Sequence, residues 1–367
     1  MSHTLVCYLC NRSYKPDSLK WRCDCGGYLD VRMDERRIDF EKLDGNRGMW
    51  RYEAILPVED PHSIVSFNEG FTPLVDTGFS NGKVYFKLDY LFPSGSYKDR
   101  GASVLLSMVK QLGVTEIIED SSGNAGSSIA LYAARANVKA TIYVPADTSA
   151  SKITQIRASG ARIMLIEGSR RDVYERAIND ATEKSIYYAS HIWNPYFFQG
   201  TKTFALELFE QMGYTSPDAI VIPVGNGTLF IGAYLGFEYL KRLGYIKRMP
   251  SLIGVQAKNC APLFASKHSL RFSSSETIAE GIAIENPPRI KQILDIVEET
   301  GGDIVVVGEG EIVDAMKKLH RSGFYVEPTS AAAVAALDRI TIAQNSSVVV
   351  PLTGSGLKTQ DKIEKFL

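Results

Sequence analysis

From Lys83 onward, short runs of β-branched and aromatic residues alternate with longer stretches whose apolar positions recur every three or four residues. That alternation is the signature of parallel strands joined by covering helices. It predicts strands at 84–88, 116–119, 140–144, 162–166 and 186–189, with helices at 100–112, 124–136, 151–159 and 169–184 between them. A second series follows, with strands at 219–223, 251–256, 303–307 and 348–352 and helices at 228–243, 310–321 and 330–339. The pattern therefore predicts an α/β protein of two domains, each an open, mostly parallel sheet with helices on both faces. Residues 34–60 are charged and weakly patterned, and read as a connecting arm over the body of the protein. The run Ser273-Ser274-Ser275 marks a loop.

Composition narrows the classes of function. With 41 basic against 42 acidic residues in 367, the net charge of -1 gives no global electrostatic case for nucleic acid or an anionic membrane surface. A small polar ligand suits that balance better. No apolar run of membrane-spanning length is present, and the opening MSHTLVCYLC lacks the layout of a signal peptide, so the expected location is cytoplasmic. Four of the five cysteines, Cys7, Cys10, Cys23 and Cys25, fall in the first 25 residues. That is no disulfide framework for a large fold, and it reads as a local knuckle able to hold one structural zinc. The last pair is Cys-x-Cys, a tighter turn than Cys-x-x-Cys. Cys260 reads as a small buried hydrophobe, and His62, His268 and His320 as solvated.

Four stretches carry chemistry. Pro93-Ser94-Gly95-Ser96-Tyr97-Lys98-Asp99-Arg100-Gly101 runs small residues into a helix that Lys98 opens. A cation is poorly placed at that end of the helix dipole, which asks for a reason beyond solubility, such as an amine kept for Schiff-base chemistry. Ser121-Ser122-Gly123-Asn124-Ala125 joins a strand to a helix, where converging N–H groups suit a carboxylate or phosphate. Val224-Gly225-Asn226-Gly227-Thr228 repeats that arrangement in the second half. It has neither the G-x-G-x-x-G spacing of a dinucleotide site nor the lysine of a P-loop, so one phosphate is its natural cargo. The fourth, Thr353-Gly354-Ser355-Gly356, places a hydroxyl at the end of the last strand.

In order and wording, these stretches resemble the threonine synthase branch of the tryptophan-synthase β-like, fold type II enzymes that use pyridoxal 5′-phosphate (PLP). The match runs from Glu69 to Lys358 and also includes Glu69-Gly70-Phe71-Thr72-Pro73-Leu74, Gly200-Thr201-Lys202-Thr203 and Glu327-Pro328-Thr329-Ser330-Ala331-Ala332. The resemblance implies that Lys98 forms the Schiff base and shuttles protons at Cα. It implies that Asn124 bonds the cofactor's phenolic oxygen, that Val224, Gly225, Asn226, Gly227 and Thr228 hold its phosphate, and that Thr353 faces its pyridine nitrogen. Ser121, Ser122, Gly123 and Ala125 would grip the carboxylate of an amino-acid substrate, on a loop expected to move when substrate binds. The implied domains are a cysteine knuckle at 1–35, a large PLP-binding domain at 36–95 and 206–367, and a small domain at 96–205. A homodimer is the family's usual state.

The resemblance leaves the reaction open between two readings. Threonine synthases bind a substrate phosphate, in part through an arginine before Gly-x-Lys-Thr and a threonine after Gly-Asn; here those places hold Phe197 or Phe198 and Ala125. His191, Lys152, Arg157 and Lys202 are the cations that would have to substitute. Ala279-Glu280-Gly281-Ile282-Ala283 looks more like serine/threonine dehydratases and β-replacing members. Threonine formation from O-phosphohomoserine and water is the first reading. The second is β-elimination or β-replacement through an aminoacrylate, as in cysteine- or cysteate-forming enzymes or dehydratases. A silent PLP-binding protein is the distant third, disfavoured by the presence of Lys98.

Overall fold

The computed structural model describes residues 3–366 apart from 18, 35, 79–82, 149 and 342, and apart from the side chains of 150–152. The chain forms two compact units, 1–70 with 98–201 and 71–97 with 202–367.

The first unit holds a four-stranded parallel sheet, ordered Arg162–Ile166, Lys139–Pro145, Glu116–Glu119, Tyr187–Tyr188. The helix Lys98–Gln111 is buried from Asp99 to Val109, which explains why its apolar residues are not confined to one stripe. The helix Asn124–Ala136 ends at Asn137, whose left-handed backbone (φ 55°) closes the last turn. Ser169 and Asp172 form a capping box that starts the helix Arg170–Glu183. The knuckle is a small antiparallel sheet of Ser13–Tyr14, His3–Cys7 and Leu29–Met33. It packs through Trp21, whose ring lies 4.8 Å from that of Tyr188 and 6.0 Å from that of Trp193. Arg22 sits over Trp193, and Tyr196 donates to the carbonyl of Pro16 at 3.0 Å.

The 34–60 stretch is less of a loose arm than its charge suggests. Met49, Trp50, Tyr52 and Ile55 are buried within a run of 3-10 turns, Gly45–Ile55, and Trp50 Nε1 donates to Ser103 Oγ at 2.9 Å.

The second unit carries a six-stranded sheet ordered Asp303–Val307, Ser251–Ala257, Ala219–Pro223, Ser347–Pro351, Lys83–Lys87, Leu74–Asp76. All its pairings are parallel except the last, where Leu74 faces Lys87 in antiparallel register. Buried Lys87 donates to the Thr72 carbonyl at 2.6 Å, to Glu207 at 2.7 Å and to Gln211 at 2.8 Å, so each ammonium proton has an acceptor. The helices Pro195–Thr201, Thr203–Gln211 and Ile290–Glu299 were not anticipated, and the helix expected at 330–339 runs instead over Pro328–Ala335 before tightening into a 3-10 turn.

Candidate active site

In the first unit, Lys98 is the first residue of its helix, and its Nζ lies 5.8 Å from the centre of the Phe197 ring. Phe197 is fully buried. Its ring lies flat against Gly101: a Cβ built on that glycine would be 2.4 Å from ring carbons. A Cβ at Gly200 would come within 1.9 Å of the Arg100 carbonyl oxygen. The lysine-bearing helix and the 195–201 helix therefore meet backbone to backbone, which two glycines permit.

The serine-glycine loop lies at the start of the next helix. Gly123 caps the 124–136 helix with extended backbone and no side-chain cap bond, and a helix start of this kind presents N–H groups suited to an anion. Ser121 Oγ accepts from Gly123 N at 3.3 Å. A Cβ at Gly126 would fall 1.8 Å from the Ser121 carbonyl oxygen, so the loop folds back over a position that tolerates no side chain. Ser121, Ser122 and Asn124 are half-buried, Gly123 is exposed and Ala125 is buried.

Behind this loop is a polar cluster that sequence reading found only in part. His191 Nδ1 lies 2.6 Å from Glu119 Oε1, and its backbone N–H donates to Glu119 Oε2 at 3.2 Å. Burial raises the Glu119 carboxyl to about 8, an effect that the charge of Arg170 only partly offsets. Burial, and then the charge of Lys98, hold the His191 imidazole well below its ordinary range. Both shifts run against the charged forms, so burial favours a neutral hydrogen-bonded pair over an ion pair. Asp120 accepts from Arg170 and from Tyr188, both at 2.6 Å. Glu119 and Asp120 stand at the end of Glu-Ile-Ile-Glu-Asp, and an acid closing a buried strand is the signal that could have found them.

Of the candidate substitutes for the missing arginine, His191 is committed to Glu119, Arg157 is exposed on the helix Ala150–Ala158, and the side chain of Lys152 lies outside the described residues. Lys202 belongs to the second unit, where burial pushes its ammonium down to about 7. Among the described residues, the 194–200 segment itself offers no cation. Trp193, Phe197 and Phe198 are buried in the core.

In the second unit, Val224 N continues the sheet ladder to the Val255 carbonyl at 2.8 Å before the chain turns through Gly225 and Gly227. Gly227 caps the helix Thr228–Arg242 with φ 76° and no side-chain bond. At the two glycines a side chain would not fit. A Cβ on Gly225 would lie 2.9 Å from Ile284 Cγ1 and 3.1 Å from Ile282 Cα, and one on Gly227 would lie 2.5 Å from Ile293 Cδ1. The 279–283 segment is thereby placed against the glycine turn. The Tyr97 hydroxyl bonds Thr228 Oγ1 at 2.8 Å. Thr353 is buried with Ser330, whose Oγ accepts from Thr353 N at 2.9 Å and Gly354 N at 3.1 Å. Cys260 is buried as expected, and His62 and His268 are exposed. His320 is not solvated: it is half-buried, with Nε2 3.0 Å from the Val326 carbonyl.

Residues 65–354 match the family model described as pyridoxal-phosphate dependent enzyme. The chain is 33% identical to the threonine synthase of Methanocaldococcus jannaschii over 97% of its own length and 93% of that protein's, and 33% identical to that of Methanosarcina acetivorans over 96% and 92%. The chain belongs to the pyridoxal-phosphate-dependent enzymes. The fold is shared with the processed form of threonine deaminase isoform 2 from Solanum lycopersicum, at a TM-score of 0.70 and 22% identity over 89% of this chain and 91% of that one. It is shared also with maize serine racemase, at a TM-score of 0.67 and 24% identity over 80% and 92%. These are fold type II enzymes, as the resemblance of the ordered motifs implied, and the α/β alternation of strands and helices agrees with that fold.

Residues of this PLP enzyme fit its cofactor. A glycine turn that opens a helix suits one phosphate, and a helix-opening lysine supplies an amine. PLP, when bound, supplies an electron sink for bonds broken at the substrate's α-carbon. The knuckle's geometry also fits a metal ion: Cys7 Sγ to Cys25 Sγ and Cys10 Sγ to Cys23 Sγ are each 3.6 Å, and the four sulfurs all lie within 4.8 Å of one another. Those separations suit four thiolates about 2.3 Å from one tetrahedral ion.

Proposed function

We propose that this enzyme is a threonine synthase, converting O-phosphohomoserine and water to threonine and phosphate. The observation that carries the reading is the 33% identity to a threonine synthase over nearly the whole of both chains, knuckle included. Lys98 is the residue that joins the cofactor and later moves the proton at the substrate's α-carbon. Asn124 donates to the phenolic oxygen, the N–H groups from Val224 to Thr228 hold the phosphate, and the Thr353 hydroxyl meets the ring nitrogen. Ser121 and Ser122, with the N–H groups of Gly123 and Ala125, bind the substrate carboxylate. Cys7, Cys10, Cys23 and Cys25 hold one structural zinc. The enzyme acts on a small amino acid as a cytoplasmic homodimer without nucleic-acid or membrane partners, a reading supported by its near-zero net charge and by the family's habit.

A second reading, β-elimination or β-replacement on a serine derivative, is favoured by one observation. Ala125 and Phe197 are buried and uncharged, and leaving a phosphate dianion unpaired there would cost several kcal/mol or more. The test is to mix holoenzyme with O-phosphohomoserine, O-phosphoserine, O-acetylserine, serine and threonine, following products and the cofactor spectrum. Threonine and inorganic phosphate from O-phosphohomoserine, both abolished by Lys98→Ala together with the visible band, are the expected result. No turnover of that substrate, alongside processing of a serine derivative, would transfer the assignment to the second reading.

A further inference from the structure

The hydrogen bonds around Ser330 determine which way the Thr353 hydroxyl must point its proton. A serine hydroxyl has two lone pairs and one proton. Both lone pairs of Ser330 Oγ are taken, by the N–H of Thr353 at 2.9 Å and the N–H of Gly354 at 3.1 Å. Thr353 Oγ1 lies 3.2 Å from the same oxygen. With no lone pair left, Ser330 can only donate in that contact, the carbonyl of Gly354 at 3.4 Å being its longer alternative. The proton of Thr353 is therefore not used on Ser330. Among the described residues that hydroxyl has no other side-chain partner, although Thr353 is 2% exposed and Ser330 fully buried. A buried hydroxyl with a committed lone pair and an uncommitted proton is a donor waiting for an acceptor.

The same pair reaches the segment that precedes the lysine. Tyr97 N donates to the Thr353 carbonyl at 3.0 Å, and Ser355 N to the Gly95 carbonyl at 2.9 Å. Ser330 thus anchors the turn to which residues 95–97 are bonded.

We propose that Ser330 is a positioning residue that fixes Thr353 as a hydrogen-bond donor, so that the cofactor's pyridine nitrogen is held as an unprotonated acceptor. The proposal rests on the reading of Thr353 as the partner of that nitrogen. Ser330 touches neither cofactor nor substrate in this role; it acts through Thr353.

The experiment uses holoenzyme reconstituted with PLP carrying ¹⁵N in the ring, comparing wild type, Ser330→Ala, Thr353→Val, the double variant and Ser330→Thr. The ¹⁵N signal reports the hydrogen bond, and PLP titration reports affinity. Wild type is expected to show an unprotonated, hydrogen-bonded nitrogen. Ser330→Ala should move the signal toward a nitrogen that accepts no bond and weaken PLP binding about five- to tenfold, as for one lost hydrogen bond. The double variant should match Thr353→Val alone, and Ser330→Thr, which keeps the hydroxyl, should keep the wild-type signal. If Ser330→Ala does not fold, Ser330→Cys, a weaker donor of similar volume, should shift the signal the same way by less. A protonated nitrogen in wild type, an unchanged signal in a Ser330→Ala protein that has only lost stability, or a Ser330→Ala effect that persists in the Thr353→Val background would each overturn the proposal and leave the cofactor reading standing. A wild-type protein that takes up no PLP would overturn both.

Discussion

Glu119 and His191 show at the residue scale what a paired polar group costs when it lies under a loop instead of in water. At pH values above the ordinary carboxylate range and below about 8, the unfolded chain releases the Glu119 proton and the folded chain keeps it. The folded state then binds more protons, so stability must fall as pH rises through that window. His191 acts oppositely at the acidic end, because the unfolded imidazole takes up a proton that the buried one refuses. Glu119→Gln cannot ionise, and it is expected to remove the fall: urea melts from pH 5 to 8 should show the variant gaining on wild type by on the order of 1–3 kcal/mol. Parallel pH curves for the two proteins would show that Glu119 ionises normally. Residues of this kind are hard to read from sequence. Lys98, Asn124 and Gly225 announce themselves within contiguous stretches of small residues, whereas Glu119 meets His191 across 72 positions and Ser330 meets Thr353 across 23. Their roles come from partners that only the fold supplies.

Among the elements, the strands from residue 83 onward were the legible part, since apolar β-branched runs bounded by turn residues specify them locally, whereas His3–Cys7, Ser13–Tyr14, Leu29–Met33 and Leu74–Asp76 were not foreseen. The helices Pro195–Thr201 and Thr203–Gln211 were not, because Tyr196, Phe197, Phe198 and Gly200 have poor helix propensity and read as a loop or pocket wall. What makes residues 195–201 a helix is burial: every residue of it is covered. Its fit against the lysine helix gives a sharp expectation. Gly200→Ala would drive a Cβ into the Arg100 carbonyl, a backbone atom that cannot swing aside, and should cost about 2 kcal/mol or more, read as a Tm drop of several degrees. Gly310, in the helix Glu309–Arg321, has open space where its Cβ would stand, so Gly310→Ala should be neutral or slightly stabilising. Equal losses in the two variants would mean that close packing of the two helices is not what Gly200 provides.

On the scale of the whole molecule, the sequence made the α/β class, the two-part organisation and the cysteine cluster visible. It did not reveal that the knuckle is stitched to residues 188–196 of its own unit through Trp21, Arg22 and Pro16. Metal binding should therefore be felt beyond the cysteines. Protein purified without chelator is expected to carry one zinc per chain. Its removal should lower Tm and change the intrinsic fluorescence, since Trp21 and Trp193 are two of the three tryptophans. Full stability in protein shown by elemental analysis to hold no metal would rule out a structural ion.

The long reach of those contacts has a consequence for how the chain is made. The knuckle's own sheet closes within residues 3–33, but Tyr188, Trp193 and Tyr196 are translated more than 150 residues later. At roughly 5–20 residues per second, the emerging knuckle waits on the order of ten seconds or more for the surface it will rest on. During that interval the knuckle lacks the aromatic surface that Trp21 and Arg22 pack on. An ion captured at the ribosome would hold the segment closed until the rest of the unit arrives.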